Sequence, residues 1–101
     1  MPKQLTIEQI EVTSNGTVQV RLHKLSSDGD LIGNHRTSIP PAGDITAQIG
    51  AVNAHMATEN YSAISDADVA KLTAICNAAW TAEVIAAYQT AQAAAEAARN
   101  A

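Results

Sequence analysis

The chain contains no phenylalanine, and its aromatic residues, Tyr61, Trp80 and Tyr88, make up 3% of 101 positions. A core without aromatic bulk has to be built from aliphatic side chains. Much of the 47% hydrophobic fraction is alanine, whose methyl group buries little area. A chain of this length can enclose one short core and no more, which excludes two large domains and predicts that burial is completed against partner chains. Cysteine is limited to Cys76, so no intramolecular disulfide exists, as expected of a chain folded in a reducing compartment. Positive charge is also scarce: six Lys and Arg stand against ten Asp and Glu, a formal net charge of −4. That balance argues against nucleic acid as a partner, because the usual footprint there is a basic stripe. No apolar run is long enough to span a bilayer, and Met1-Pro2-Lys3-Gln4-Leu5 lacks the apolar core of a signal peptide. A membrane is therefore not an expected partner, and synthesis in the cytoplasm is.

Chemical signatures are missing as well. There is no glycine-rich phosphate loop, nucleophile elbow or HExxH pair, and the carboxylates are scattered rather than paired. Asp28-Gly29-Asp30 has the look of a calcium loop but lacks the other acids and the terminal Glu, so it reads as a hairpin turn. The histidines, His23, His35 and His55, show no metal-ligand spacing with one another or with cysteine. Cys76 lies on an apolar helical stripe beside Ile75, where a thiol serves as a small hydrophobe. These readings predict a non-enzymatic protein with no cofactor and no metal.

What is present is a change of pattern part-way along. Over residues 1–41 the chain is rich in Val, Ile and Thr, with Asn15-Gly16 and Asp28-Gly29 between apolar runs, which predicts a three-stranded antiparallel β-meander. Leu5 and Ile7 share one phase and Ile10 and Val12 the other, so a bulge is required near Glu8 and Gln9. Val18, Val20 and Leu22 alternate with Gln19, Arg21 and His23, which gives one buried and one wet face. A three-residue loop, Ser14-Asn15-Gly16 with Gly16 left-handed, pairs Val12 with Val18 and Ile10 with Val20. The second turn leaves two readings: a three-residue loop that sets Asn34, Arg36 and Ser38 against the valines, and a two-residue Asp28-Gly29 loop that pairs Val18 with Ile39 and Leu22 with His35. Of these the two-residue loop buries better. Pro40 and Pro41 end the sheet, since neither can donate to a ladder.

Residues 42–101 form the helical region of what is one small α+β domain overall. Asp44 is a suitable N-cap for a helix with Ile45, Ile49, Val52 and Met56 on one stripe. Ser65-Asp66-Ala67-Asp68 resembles a capping box ahead of Val69, Leu72, Ile75 and Cys76. Thr81 is the N-cap of a third helix, with Glu83 in its first turn. Beyond Val84, Ile85 and Tyr88 that helix is almost wholly alanine and polar residues, with two readings: a close helix–helix contact, with copies of itself included, or a solvated tail.

Two groups of residues are the candidate partner interface. Trp80, Val84 and Tyr88 combine side-chain types enriched at interfaces, although Trp80 equally suits the corner between two helices. Arg21 and Arg36, with His23 and Lys24, form the one basic cluster, suited to an acidic partner surface or to guarding exposed strand edges. The stretch from Trp80 to Gln89 (Trp-Thr-Ala-Glu-Val-Ile-Ala-Ala-Tyr-Gln) resembles the C-terminal motif of small uncharacterised proteins of tailed bacteriophages and prophages. Those proteins join a short β-hairpin region to a helix that begins Trp-Thr-Pro-Glu-Val; here Ala82 stands where the resemblance has proline. The resemblance implies a minor virion structural protein at the tail, baseplate or fibre attachment, present in several copies, found in the virion and, during assembly, in the host cytoplasm. Its partners would be other virion or assembly proteins, and a homo-oligomer is expected. A soluble assembly chaperone or small regulatory binding protein, absent from the finished particle, is the alternative.

Overall fold

In a computed structural model that describes residues 2–100, three strands precede three helices: β1 (Gln4–Val12), β2 (Val18–Leu25), β3 (Leu31–Ile39), α1 (Ile45–Ala57), α2 (Asp66–Ala79) and α3 (Ala82–Asn100). The sheet is antiparallel in the order β1-β2-β3, so the chain is the α+β meander with three helices that its patterning predicts.

The first hairpin follows the expected register. Val12 pairs with Val18 and Ile10 with Val20, and the ladder slips by one residue between Ile7 and Gln9, which brings Leu5, Ile7 and Ile10 onto the core, while Val12 at the strand end stays 45% exposed. Gly16 adopts φ +89 at the end of the Ser14-Asn15-Gly16 loop, and Thr13 and Gly16 close it through backbone bonds to Thr17 and Thr13.

The second hairpin reaches the expected register by another route. Val18 does pair with Ile39 and Leu22 with His35, yet the turn is a three-residue Ser27-Asp28-Gly29 loop rather than the two-residue one. Ser26 bonds through its N–H to Asp30 C=O and through its hydroxyl to Asp30 N–H, and Gly29 closes the loop at φ +94. The extra turn residue is compensated within β3, where the register shifts so that Ile32 stands between the Leu25–Leu31 and Lys24–Gly33 pairs. Loop and bulge cancel, and the apolar pairs stay aligned.

Only one side of the sheet carries a core. Leu5, Val18, Val20, Leu22 and Ile39 are buried there against Ile49, Val52 and Met56 of α1 and Leu72 and Cys76 of α2. Tyr61 and Ile64, in the connection between those helices, close its edge. Asp44 caps α1 by accepting from Ala47 N–H, and Ser65 caps α2 by accepting from Asp68 N–H. Thr81 accepts from Val84 N–H at 3.2 Å and starts α3. α3 contributes no buried residue, and at 19 residues it extends about 28 Å, which makes it the main cause of an elongated shape of 52 × 29 × 19 Å.

Candidate functional site

The two edges of the sheet are treated differently. Outside β1, Lys3 N–H donates to Asn60 C=O at 2.9 Å and Ser62 N–H to Lys3 C=O at 2.8 Å. Beside its bulge, Ile7 N–H donates to the Asp68 carboxylate at 3.0 Å. The carboxylate at the capping-box position therefore reaches out to the sheet, whereas a capping box folds it back onto its own helix. The first half of this edge, from Lys3 to Ile7, is thus closed by the connection and by the start of α2. β3 pairs only with β2, and among the described residues none of its backbone groups bonds to anything else. Its turn-proximal end exposes Leu31 (58%) and Ile32 (54%), large aliphatic side chains in open contact with water.

The sheet face turned away from the helices is a shallow depression lined by Gln9, Glu11, Gln19, Arg21, Arg36 and Ser38. Arg21 and Arg36 are direct cross-strand partners, with Gln9 on the other side of Arg21. Like charges placed opposite one another repel, and the ion pairs found among the described residues involve neither arginine. Arg21 Nε is moreover buried with no hydrogen-bond acceptor. Glu11 lines the same depression, but among the described residues no carboxylate lies within ion-pair distance of either arginine. His23 belongs to a different pairing: its Nδ1 lies 3.6 Å from Glu8. Lys24 lies 3.9 Å from Glu59 and leans toward the ring of Tyr61.

At the opposite end of the meander, the tip of the first hairpin meets the corner between α2 and α3. Trp80, the C-cap residue of α2, is half-buried against the core, and its indole N–H donates to Gly16 C=O at 2.8 Å. Gly16 is itself buried; a Cβ there would collide with Val84 Cγ1 and crowd Pro41 Cγ at 3.3 Å. Tyr88, one turn on, is half-buried, and its hydroxyl accepts from Gln92. Val84, Ala87, Tyr88, Ala91 and Ala95 then line one wall of an open groove whose other wall is Ser14 and Asn15.

The structure thus brings Trp80, Val84 and Tyr88 together in one place and Arg21 and Arg36 together in another. His35 faces His55 of α1, ring centroids 6.0 Å apart, rather than His23. Among the described residues no group of three His, Cys, Asp or Glu could hold a metal ion, and no helix is long and apolar enough to cross a membrane. Cys76 is fully buried, and loss of hydration pushes its thiol pKa up, which disfavours the reactive thiolate. The exposed Leu31-Ile32 pair and the closing of β1 by Asp68 were not read from the sequence. Two adjacent aliphatics immediately after a polar turn were the available signal for the first; the second depends on a contact 61 positions apart. Comparisons with protein families, with curated proteins and with solved structures found no match.

Proposed function

We propose that the chain is a non-enzymatic subunit of a larger assembly and that α3 is the element through which it docks. The observation that carries this reading is that α3, 19 residues long, has no buried residue. Only its first two turns touch the domain, through Val84, Ile85 and Tyr88, and from Gln89 onward every described residue is exposed; since helices in proteins are held mostly by packing of one face, that uncovered length calls for a neighbour. Beyond Val84, which packs on Gly16, Tyr88, Ala91, Ala95 and Ala98 recur at spacings of three, four and three, the seam pattern of paired helices. Alanine on most of that seam allows close approach of two backbones. A second copy is the occupant best matched to it. A two-fold antiparallel pair centred on Ala91 sets Glu83 level with the second copy's Arg99 and opposes the two helix dipoles.

The setting in which such a subunit acts follows from the resemblance of Trp80–Gln89: a multi-copy minor protein of a tailed-phage particle, at the tail, baseplate or fibre attachment. Mass spectrometry of purified particles tests that setting. Presence of the chain at a fixed ratio to the major structural proteins supports it. Absence from intact particles, with the chain found only in the lysate, overturns it in favour of an assembly factor.

A further inference from the structure

We infer that the outer edge of β3 is a strand-addition site for an extended, acidic segment of another protein, with a carboxylate of that segment seated beside Arg36 and Arg21. This surface is separate from α3, and the inference stands whatever α3 contacts. Three features converge on it. Among the described residues the backbone of β3 is unpaired along its whole outer side, whereas β1 is bonded there to the Asn60–Ser62 stretch at Lys3 and to Asp68 at Ile7, so β3 offers the longer edge at which an incoming strand can form a ladder. Arg36, on that edge strand, lies directly beside Arg21, and neither has a carboxylate partner. Arg21 Nε lacks an acceptor altogether although it is buried. A strand added to β3 places its own side chains alongside Arg36 on the open face. A carboxylate there relieves the repulsion between the two cations through charge-assisted hydrogen bonds, and supplies acceptors where none exist now. Four residues along, Leu31 and Ile32 offer the incoming strand an apolar contact.

Charge decides against a second copy as the occupant. Two β3 edges paired about a two-fold axis put four arginines on one continuous face. The strand of this chain that carries carboxylates, β1, has its outer edge bonded at Lys3 and Ile7, so a second copy could offer only the short Glu8–Val12 stretch. The partner segment therefore has a readable pattern. Running antiparallel to β3, it bears an acid opposite Arg36 and, four residues later, an aliphatic side chain opposite Ile32.

The test uses the full chain, isotope-labelled for NMR, and two peptides: acetyl-Thr-Glu-Thr-Glu-Thr-Thr-Thr-Val-amide and its counterpart with both Glu replaced by Lys. The acidic peptide is expected to shift the amide signals of residues 33–37 and slow their exchange, while the Lys peptide binds about fivefold or more weakly, the contrast expected of one or two partly exposed charge pairs. Arg36→Glu, at an exposed strand position, is expected to keep the folded spectrum and to reverse the preference. No shift in β3 at millimolar acidic peptide, or equal shifts with both peptides, overturns the proposal. So does exchange protection of the β3 edge that rises with protein concentration in the absence of peptide, because the occupant is then a second copy.

Discussion

The indole N–H of Trp80 donates to the carbonyl oxygen of Gly16 at 2.8 Å, across 64 positions of sequence. This bond ties the tip of the first hairpin to the corner from which α3 departs, and so it sets the direction in which that helix leaves the domain. Gly16 serves the contact twice over, by its left-handed φ of +89 and by the missing side chain that lets Val84 and Pro41 close in.

The first prediction tests that corner. Gly16→Ala is expected to cost about 2–4 kcal/mol, since a left-handed alanine and an overpacked contact each contribute about 1–3 kcal/mol. Val84→Ala in the same chain relieves the collision but not the backbone strain, so the double variant should recover part of the loss. Trp80→Phe, which removes the donor and leaves the Gly16 carbonyl unpaired, should cost about 1–3 kcal/mol. Urea denaturation of the variants in a double-mutant cycle checks this; additive effects of the Gly16 and Val84 changes would contradict the contact.

Asp68 provides the second prediction. Its carboxylate accepts from Ile7 N–H at 3.0 Å while its own N–H is capped by Ser65, so one residue both starts α2 and closes the β1 edge. Asp68→Ala is expected to destabilise the domain by about 1.5–3 kcal/mol, the range for a hydrogen bond to a charged group. Ser65→Ala, which removes the cap alone, should cost about 1 kcal/mol. Hydrogen exchange separates the two: the Ile7 amide loses protection in the first variant and keeps it in the second.

A third prediction concerns alkaline pH. Burial raises the Cys76 thiol above its ordinary value of 9.0. Below that pH the thiol is protonated in both folded and unfolded chains, and its contribution to stability is fully present. Above it the unfolded chain releases the proton first, so the contribution is lost as pH rises through the folded-state pKa. Stability of the native chain should therefore fall more steeply above pH 9.0 than that of Cys76→Ala, measured side by side by denaturant melts. Parallel curves would show that the thiol does not titrate differently on folding.

Much of this architecture was legible in the sequence because its determinants are local. The phase change at Glu8 and Gln9 required a bulge, Asn15-Gly16 selected the first loop, and Asp44, Ser65 and Thr81 marked three helix starts. The second hairpin shows the limit. Apolar pairing fixed its register, but two errors of opposite sign, a loop one residue longer and a bulge at Ile32, produce the same pairing and cannot be told apart by pattern. The sites were legible in composition and not in arrangement. Arg21 and Arg36 stood out as a basic cluster, but that Arg21 Nε lacks an acceptor is set by side-chain placement, and the bonding of the β1 edge at Lys3 and Ile7 depends on residues 60–68, far along the chain.

The central claim is that α3 docks through its Tyr88–Ala91–Ala95–Ala98 seam, and sedimentation velocity across micromolar concentrations tests it most directly. The intact chain is expected to self-associate. Ala91→Glu, which puts charge on the seam at little cost in helix propensity, should leave a folded monomer whose melting temperature is lower than the native chain's and no longer depends on concentration. Ala93→Glu, on the opposite side of the helix, should associate like the native chain. A native chain that sediments as a compact monomer at every concentration, with a high melting temperature independent of concentration, would contradict the account.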